Sequence, residues 1–135
     1  MSIELKRKNP GAMAQTVRIR AHELTSDVDA PDGGVDAGPS PHDLYDAAVG
    51  ACKALTVLWY ARKKGIPVDD IQNVIERDDS GERAGVYRLK ARMQVKGALT
   101  DAQLEELRAV ADKCPVHKLM TKVTTEITTE MERMP

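Results

Sequence analysis

The sequence predicts an α+β fold, in which antiparallel sheets surround one long central helix. Three observations predict it. Apolar and polar residues alternate in steps of two within 2–8, 14–24, 69–79 and 84–98. A three- and four-residue apolar repeat runs from residue 40 to 64. Strands and helices do not alternate singly, as a parallel sheet would require, so the order reads ββ, long helix, ββ, helix, short helix, β. At 135 residues the chain has the length of one domain with a proper core, taken here as 1–135.

The first element is a hairpin turning at Asn9-Pro10-Gly11, with Val17, Ile19 and Ala21 on one face and Arg18, Arg20 and His22 on the other. The acidic, Gly- and Pro-rich stretch 25–40 reads as a loop with at most a short strand. Ser40 as N-cap, Pro41 at the first helical position and Asp43 at the third open the long helix, and Gly65 and Pro67 end it after Lys64. Leu44, Ala48, Ala51, Cys52, Leu55 and Trp59 are expected to form its buried stripe. Such a helix is roughly 36 Å long.

Asp79-Ser80-Gly81 joins the second pair of strands. Thr100 and Gln103 form a capping box for a helix that turns Leu104, Leu107 and Ala111 to one side and ends near Lys113. Cys114-Pro115 restarts a short helix through about Lys122, and the Thr-rich VTTEITTEM is expected to close the chain as a strand.

Composition narrows the function. Hydrophobic residues make up 41% and charged residues 30%, a globular balance. Twenty basic against twenty-one acidic residues leave a net charge of −1, which offers no field for nucleic acid or an anionic membrane. Trp59, Tyr45, Tyr60 and Tyr87 are the only aromatics, too few for a base-stacking platform. The N-terminal stretch lacks the apolar core of a secretion signal, and no run approaches the length of a membrane span. A cytoplasmic location is therefore expected. In that reducing compartment a cysteine pair is more often catalytic, redox-sensing, metal-binding or simply buried than a permanent disulfide.

The two cysteines are the centre of the question. Cys114 precedes Pro115 at a helix start, where unpaired backbone N–H groups and the helix dipole favour a thiolate; the alternative is a partly buried thiol serving only as an N-cap. Cys52, in mid-helix, is desolvated, which raises its pKa unless a cation reverses the effect. Lys53 lies about 100° away around the helix, so Arg7, Arg18 and Arg20 of the first hairpin are the expected candidates, and otherwise Cys52 is a core residue. Cys114 and His117 could begin a metal site with His22, His42 or Cys52, but no second close ligand pair exists. The six methionines read as core filler or termini, and the lysine runs as solvated surface.

Residues 38–68, GPSPHDLYDAAVGACKALTVLWYARKKGIPV, and 112–120, DKCPVHKLM, resemble the two signatures of the OsmC/Ohr family: a Gly-Pro-x-Pro turn opening a long cysteine-bearing helix, and a Cys-Pro motif. The resemblance implies an OsmC-like fold assembled as an intertwined homodimer. It implies that Cys52 is a peroxidatic thiol attacking an organic hydroperoxide. Cys114 then resolves the sulfenic acid to a disulfide, which a dithiol or lipoyl-type reductant reopens, with no metal or organic cofactor required. Family peroxidases carry Glu where this chain has His42, with Asp43 next to it, and the family's local motif around its hairpin arginine is not present here. The opposing function class is an OsmC-fold binding protein that keeps an apolar pocket near the thiols for a small or reactive ligand, without peroxide turnover.

Overall fold

The computed structural model describes all residues from Met1 to Pro135. Strands β1 (Ile3–Arg7), β2 (Gln15–Ile19) and β3 (His22–Ser26) form a three-stranded antiparallel sheet in that order. The long helix α1 (Pro41–Lys64) follows, then strands β4 (Asp70–Asp78) and β5 (Arg88–Lys96), which form a two-stranded sheet, and helices α2 (Asp101–Ala111) and α3 (Pro115–Thr121). The α+β class agrees with the sequence, and so does the succession of strands, long helix, two strands, helix and short helix.

Three expectations change. The stretch 14–24 is two strands rather than one: Arg20 takes a left-handed φ of 56°, and the chain reverses so tightly that Ile19 pairs with His22. In this register Val17 faces Leu5 on one side and Leu24 on the other. The C-terminal VTTEITTEM forms no strand, because none of the five strands pairs with it, and Ile127 and Met131 are exposed. The buried stripe of α1 is also displaced. Ala48, Ala51, Leu55 and Trp59 are exposed, while Asp46, Val49, Gly50, Lys53, Val57 and Ala61 are buried. That line has helical spacing, but two of its members are charged, so hydropathy alone selected the neighbouring face.

The chain divides into two compact units. One comprises Met1–Ala48 and Arg77–Leu89, the other Val49–Glu76 and Lys90–Pro135.

In the first unit Asp27 fastens the acidic loop. It is buried, and its carboxylate accepts N–H bonds from Val28 at 2.8 Å, Val35 at 3.1 Å and Ala37 at 3.0 Å. Ser40 caps α1 as expected: its backbone N–H donates to Asp43 Oδ2 at 3.0 Å, and its hydroxyl accepts from the Asp43 N–H at 3.2 Å.

The second unit holds the main apolar core. Val57 and Ala61 of α1, Ile66, and Leu107 and Ala111 of α2 form it, with Tyr60, Val68, Ile71, Met93, Val95 and Leu99 packed around them. Burying a side chain such as Leu107 is worth about 2 kcal/mol. Gly65 at φ 69° closes α1 in the left-handed conformation, and the Ile66 N–H reaches back to the Ala61 carbonyl. Thr100 and Gln103 make both bonds of their capping box.

Candidate dithiol site

Both cysteines belong to the second unit, and the structure brings them together. Cys52 projects from α1 and is half-buried; Cys114 is fully buried; both are free thiols. Cys52 is near enough to help push the Cys114 thiol up, and its own sulfur lies 4.0 Å from the Thr56 hydroxyl one turn along α1.

Cys114 is the N-cap of α3, with extended backbone and Pro115 directly after it. Its sulfur accepts the His117 backbone N–H at 3.4 Å. The helix-start environment expected from the sequence is therefore present, though α3 has only seven residues and a short dipole. Burial pushes the Cys114 thiol up; the His117 N–H and the charge of Lys53 act in the opposite direction.

The cation in this unit is one the sequence reading set aside. Lys53 is only 7% exposed. Its ammonium donates to the Ala111 carbonyl at 2.9 Å, lies 2.8 Å from His117 Nδ1 and faces Asp112 at 3.7 Å. The 100° offset from Cys52 around α1 carries Lys53 to the end of α2 and the start of α3. His117 Nδ1 thus faces the Lys53 ammonium, and no His, Cys, Asp and Glu side chains gather in threes as a metal site would need.

The hairpin arginines are otherwise engaged. Arg7 Nε donates to the Ala12 carbonyl at 2.7 Å, Arg18 pairs with Glu23 at 3.3 Å, and Arg20 occupies the turn. The acids of α1 in the first unit hold a different arginine: Arg77 of β4 donates from Nε to Asp46 at 2.5 Å and from Nη2 to Asp43 at 2.7 Å. Those two carboxylates hold its guanidinium firmly protonated. Tyr87 donates to the other oxygen of Asp46 at 2.7 Å, so this buried carboxylate is bonded on both oxygens. His42, in the position of the family Glu, instead meets Glu82 at 2.6 Å, at the edge of a cavity of ≈ 410 Å³ that Tyr45 and Tyr87 also line. Nothing in the local sequence of β4 marks Arg77. Its spacing from Asp43 and Asp46 shows only when β4 is set beside the helix.

The α+β chain carries one cysteine on its long helix and another in a Cys-Pro step, and comparison with known proteins places its family. The family described as OsmC-like protein matches residues 31–130, so the chain belongs to the OsmC-like family. Among solved structures, an OsmC-like protein from Mycoplasma pneumoniae shares 16% identity over 90% of this chain and 87% of that one, with a TM-score of 0.69. The organic hydroperoxide resistance protein OsmC from Legionella pneumophila shares 18% over 90% of each, with a TM-score of 0.67. The organic hydroperoxide resistance protein OhrB of Bacillus subtilis shares 19% over 90% of this chain and 92% of that one, with a TM-score of 0.58. At these identities the likeness establishes the fold. No curated protein matches the sequence. No helix is long and apolar enough to cross a membrane.

Proposed function

We propose that the chain is a cysteine-based peroxidase for organic hydroperoxides, with Cys52 as nucleophile and Cys114 as resolving thiol. The observation that carries this reading is the pairing of a half-buried thiol with a fully buried one. The accessible sulfur meets the substrate, and the protected sulfur waits for the product.

The Cys52 thiolate attacks the terminal oxygen of the hydroperoxide. An S–O bond forms and the O–O bond breaks; the departing alkoxide takes a proton and leaves as alcohol, with a sulfenic acid on Cys52. Cys114 then attacks the sulfenic sulfur. An S–S bond forms, the S–O bond breaks, and hydroxide leaves as water after taking up the thiol proton. A dithiol or lipoyl-type reductant reopens the disulfide, and a reducing cytoplasm is the fitting compartment.

The working unit in this reading is a homodimer. Support comes from the second face of α1, where Leu55 and Trp59 are 66% and 61% exposed and a partner would remove them from water.

Turnover of cumene hydroperoxide with a dithiol reductant tests the reading. Cys52→Ser is expected to abolish it; Cys114→Ser is expected to allow one round of Cys52 oxidation. A Cys52→Ser protein as active as the parent would overturn it. The binding-protein reading is favoured by the burial that pushes the Cys114 thiol up, and it predicts that both thiols persist in peroxide.

A further inference from the structure

The first unit holds a cavity of ≈ 410 Å³ that the peroxide chemistry above does not use. That volume lies within the roughly 300–1,000 Å³ of small-molecule sites. Pro41, His42 and Tyr45 from the start of α1 line it, together with Glu82 and Tyr87 from the connection between β4 and β5. Three of these five side chains are rings set steeply to one another. The Tyr87 ring centroid stands 6.0 Å from that of His42 at an interplanar angle of 62°, and 6.1 Å from that of Tyr45 at 63°. The polar groups are as specific as the rings. Glu82 is the carboxylate of the lining, and His42 Nε2 takes one of its oxygens at 2.6 Å. No Lys or Arg lines the cavity; Arg83 and Arg88, close by in sequence, are not among its walls. Behind Tyr87, Asp43 and Asp46 share the single Arg77 guanidinium at 2.7 and 2.5 Å, which leaves that cluster with an excess of negative charge.

We propose that this cavity binds a small organic cation carrying a methylated ammonium, with the Tyr45, Tyr87 and His42 rings against its methyl groups and Glu82 as counter-charge. Ring faces attract such a cation through their quadrupole, and several rings at steep angles can contact it from more than one side. Tyr87 suits the role further because its hydroxyl donates to Asp46 at 2.7 Å. A phenol bonded to a carboxylate carries more negative charge on its ring, which strengthens its hold on a cation. The same bond turns the hydroxyl to Asp46, and His42 already occupies one Glu82 oxygen, so the lining has few acceptors to offer. A primary ammonium is strongly hydrated and needs acceptors for three N–H groups. A methylated one needs none. An anion is disfavoured by the Glu82 carboxylate, with no lining cation except a protonated His42 to offset it.

The test is a titration of the full chain with choline, with the Tyr45 and Tyr87 ring signals followed by NMR. Ethanolamine serves as the primary-amine counterpart, and dimethylbutanol as the uncharged isostere with carbon in place of nitrogen. Choline is expected to shift both rings saturably and to bind about tenfold or more tightly than dimethylbutanol, the scale of a ring–cation contact, and more tightly than ethanolamine. Choline binding no tighter than either analogue, or no saturable shift of the two rings, overturns the proposal. Two variants locate the binding: Glu82→Gln and Tyr45→Leu, both at exposed positions. Each is expected to weaken choline about threefold or more, and Glu82→Gln should leave dimethylbutanol unchanged. Choline affinity equal to the parent in both folded variants overturns the proposal as well. The titration needs neither thiol, so its outcome is independent of peroxide turnover.

Discussion

The Cys52 thiol, half-buried on α1, neighbours the fully buried Cys114 thiol that caps α3, across 62 residues of sequence. Each sulfur owes its place to a different device. Cys52 stands one position from the buried line of α1, which leaves it partly open. Cys114 is held by Pro115 and by the His117 N–H in the first turn of a short helix.

The connection after β5 is intolerant of any side chain at Gly97. Its φ is 154°, and a Cβ there would stand 2.0 Å from the Pro67 carbonyl oxygen, a backbone atom that cannot yield. Gly97→Ala is expected to cost about 3 kcal/mol or more. Gly11→Ala, at φ 90° but with open space around it, is expected to cost only about 1 kcal/mol of backbone strain. Urea unfolding of the two variants checks the difference, and equal midpoints would contradict it.

Acid should loosen the loop of the first unit. The Ala37, Val28 and Val35 N–H groups hold the Asp27 carboxyl below its ordinary value of 3.8. A carboxylate depressed in the folded state stabilises it above the unfolded value and loses that contribution as pH falls through the folded one. Hydrogen exchange of the Val35 and Ala37 amides is expected to accelerate selectively at acid pH. Asp27→Asn, which presents an NH2 to N–H donors, should show the faster exchange already at neutral pH.

Alkali should act through Tyr87, whose phenol is pushed up to about 12 by burial and by its bond to Asp46. The sign is opposite to that of Asp27. Stability from this group is complete below the ordinary value of 10.0 and is lost as pH rises towards about 12. Tyr87→Phe removes one donor from the buried Asp46, is expected to cost about 1 kcal/mol at neutral pH, and should flatten the alkaline decline. Thermal melts across that range read both effects.

Much of this architecture is legible in the sequence because local chemistry dictates it. Ser40, Pro41 and Asp43 start α1, Thr100 and Gln103 start α2, and Cys114-Pro115 starts α3 whatever surrounds them. The misplaced features all depend on the tertiary environment. The buried line of α1 contains Asp46 and Lys53, whose burial makes sense only once Arg77, Tyr87, the Ala111 carbonyl and His117 are in place. The break at Arg20 has no Gly, Asn or Asp to announce it. VTTEITTEM has the composition of a strand, but pairing requires a neighbour, and composition does not reveal one.

The exposed face of α1 gives the homodimer reading a direct consequence. Trp59→Glu and Leu55→Glu place charges where a partner helix would pack, and each is expected to yield a monomer in sedimentation with unchanged far-ultraviolet circular dichroism. A dimer that persists in the double variant would place the interface elsewhere.

The central claim is that the two thiols work as a peroxide-driven pair, and the mass of the intact protein after one equivalent of cumene hydroperoxide tests it most directly. The account predicts that the reduced chain loses both free thiols and becomes lighter by two hydrogens, while Cys114→Ser instead gains oxygen on Cys52. Both thiols surviving that treatment at unchanged mass would contradict it.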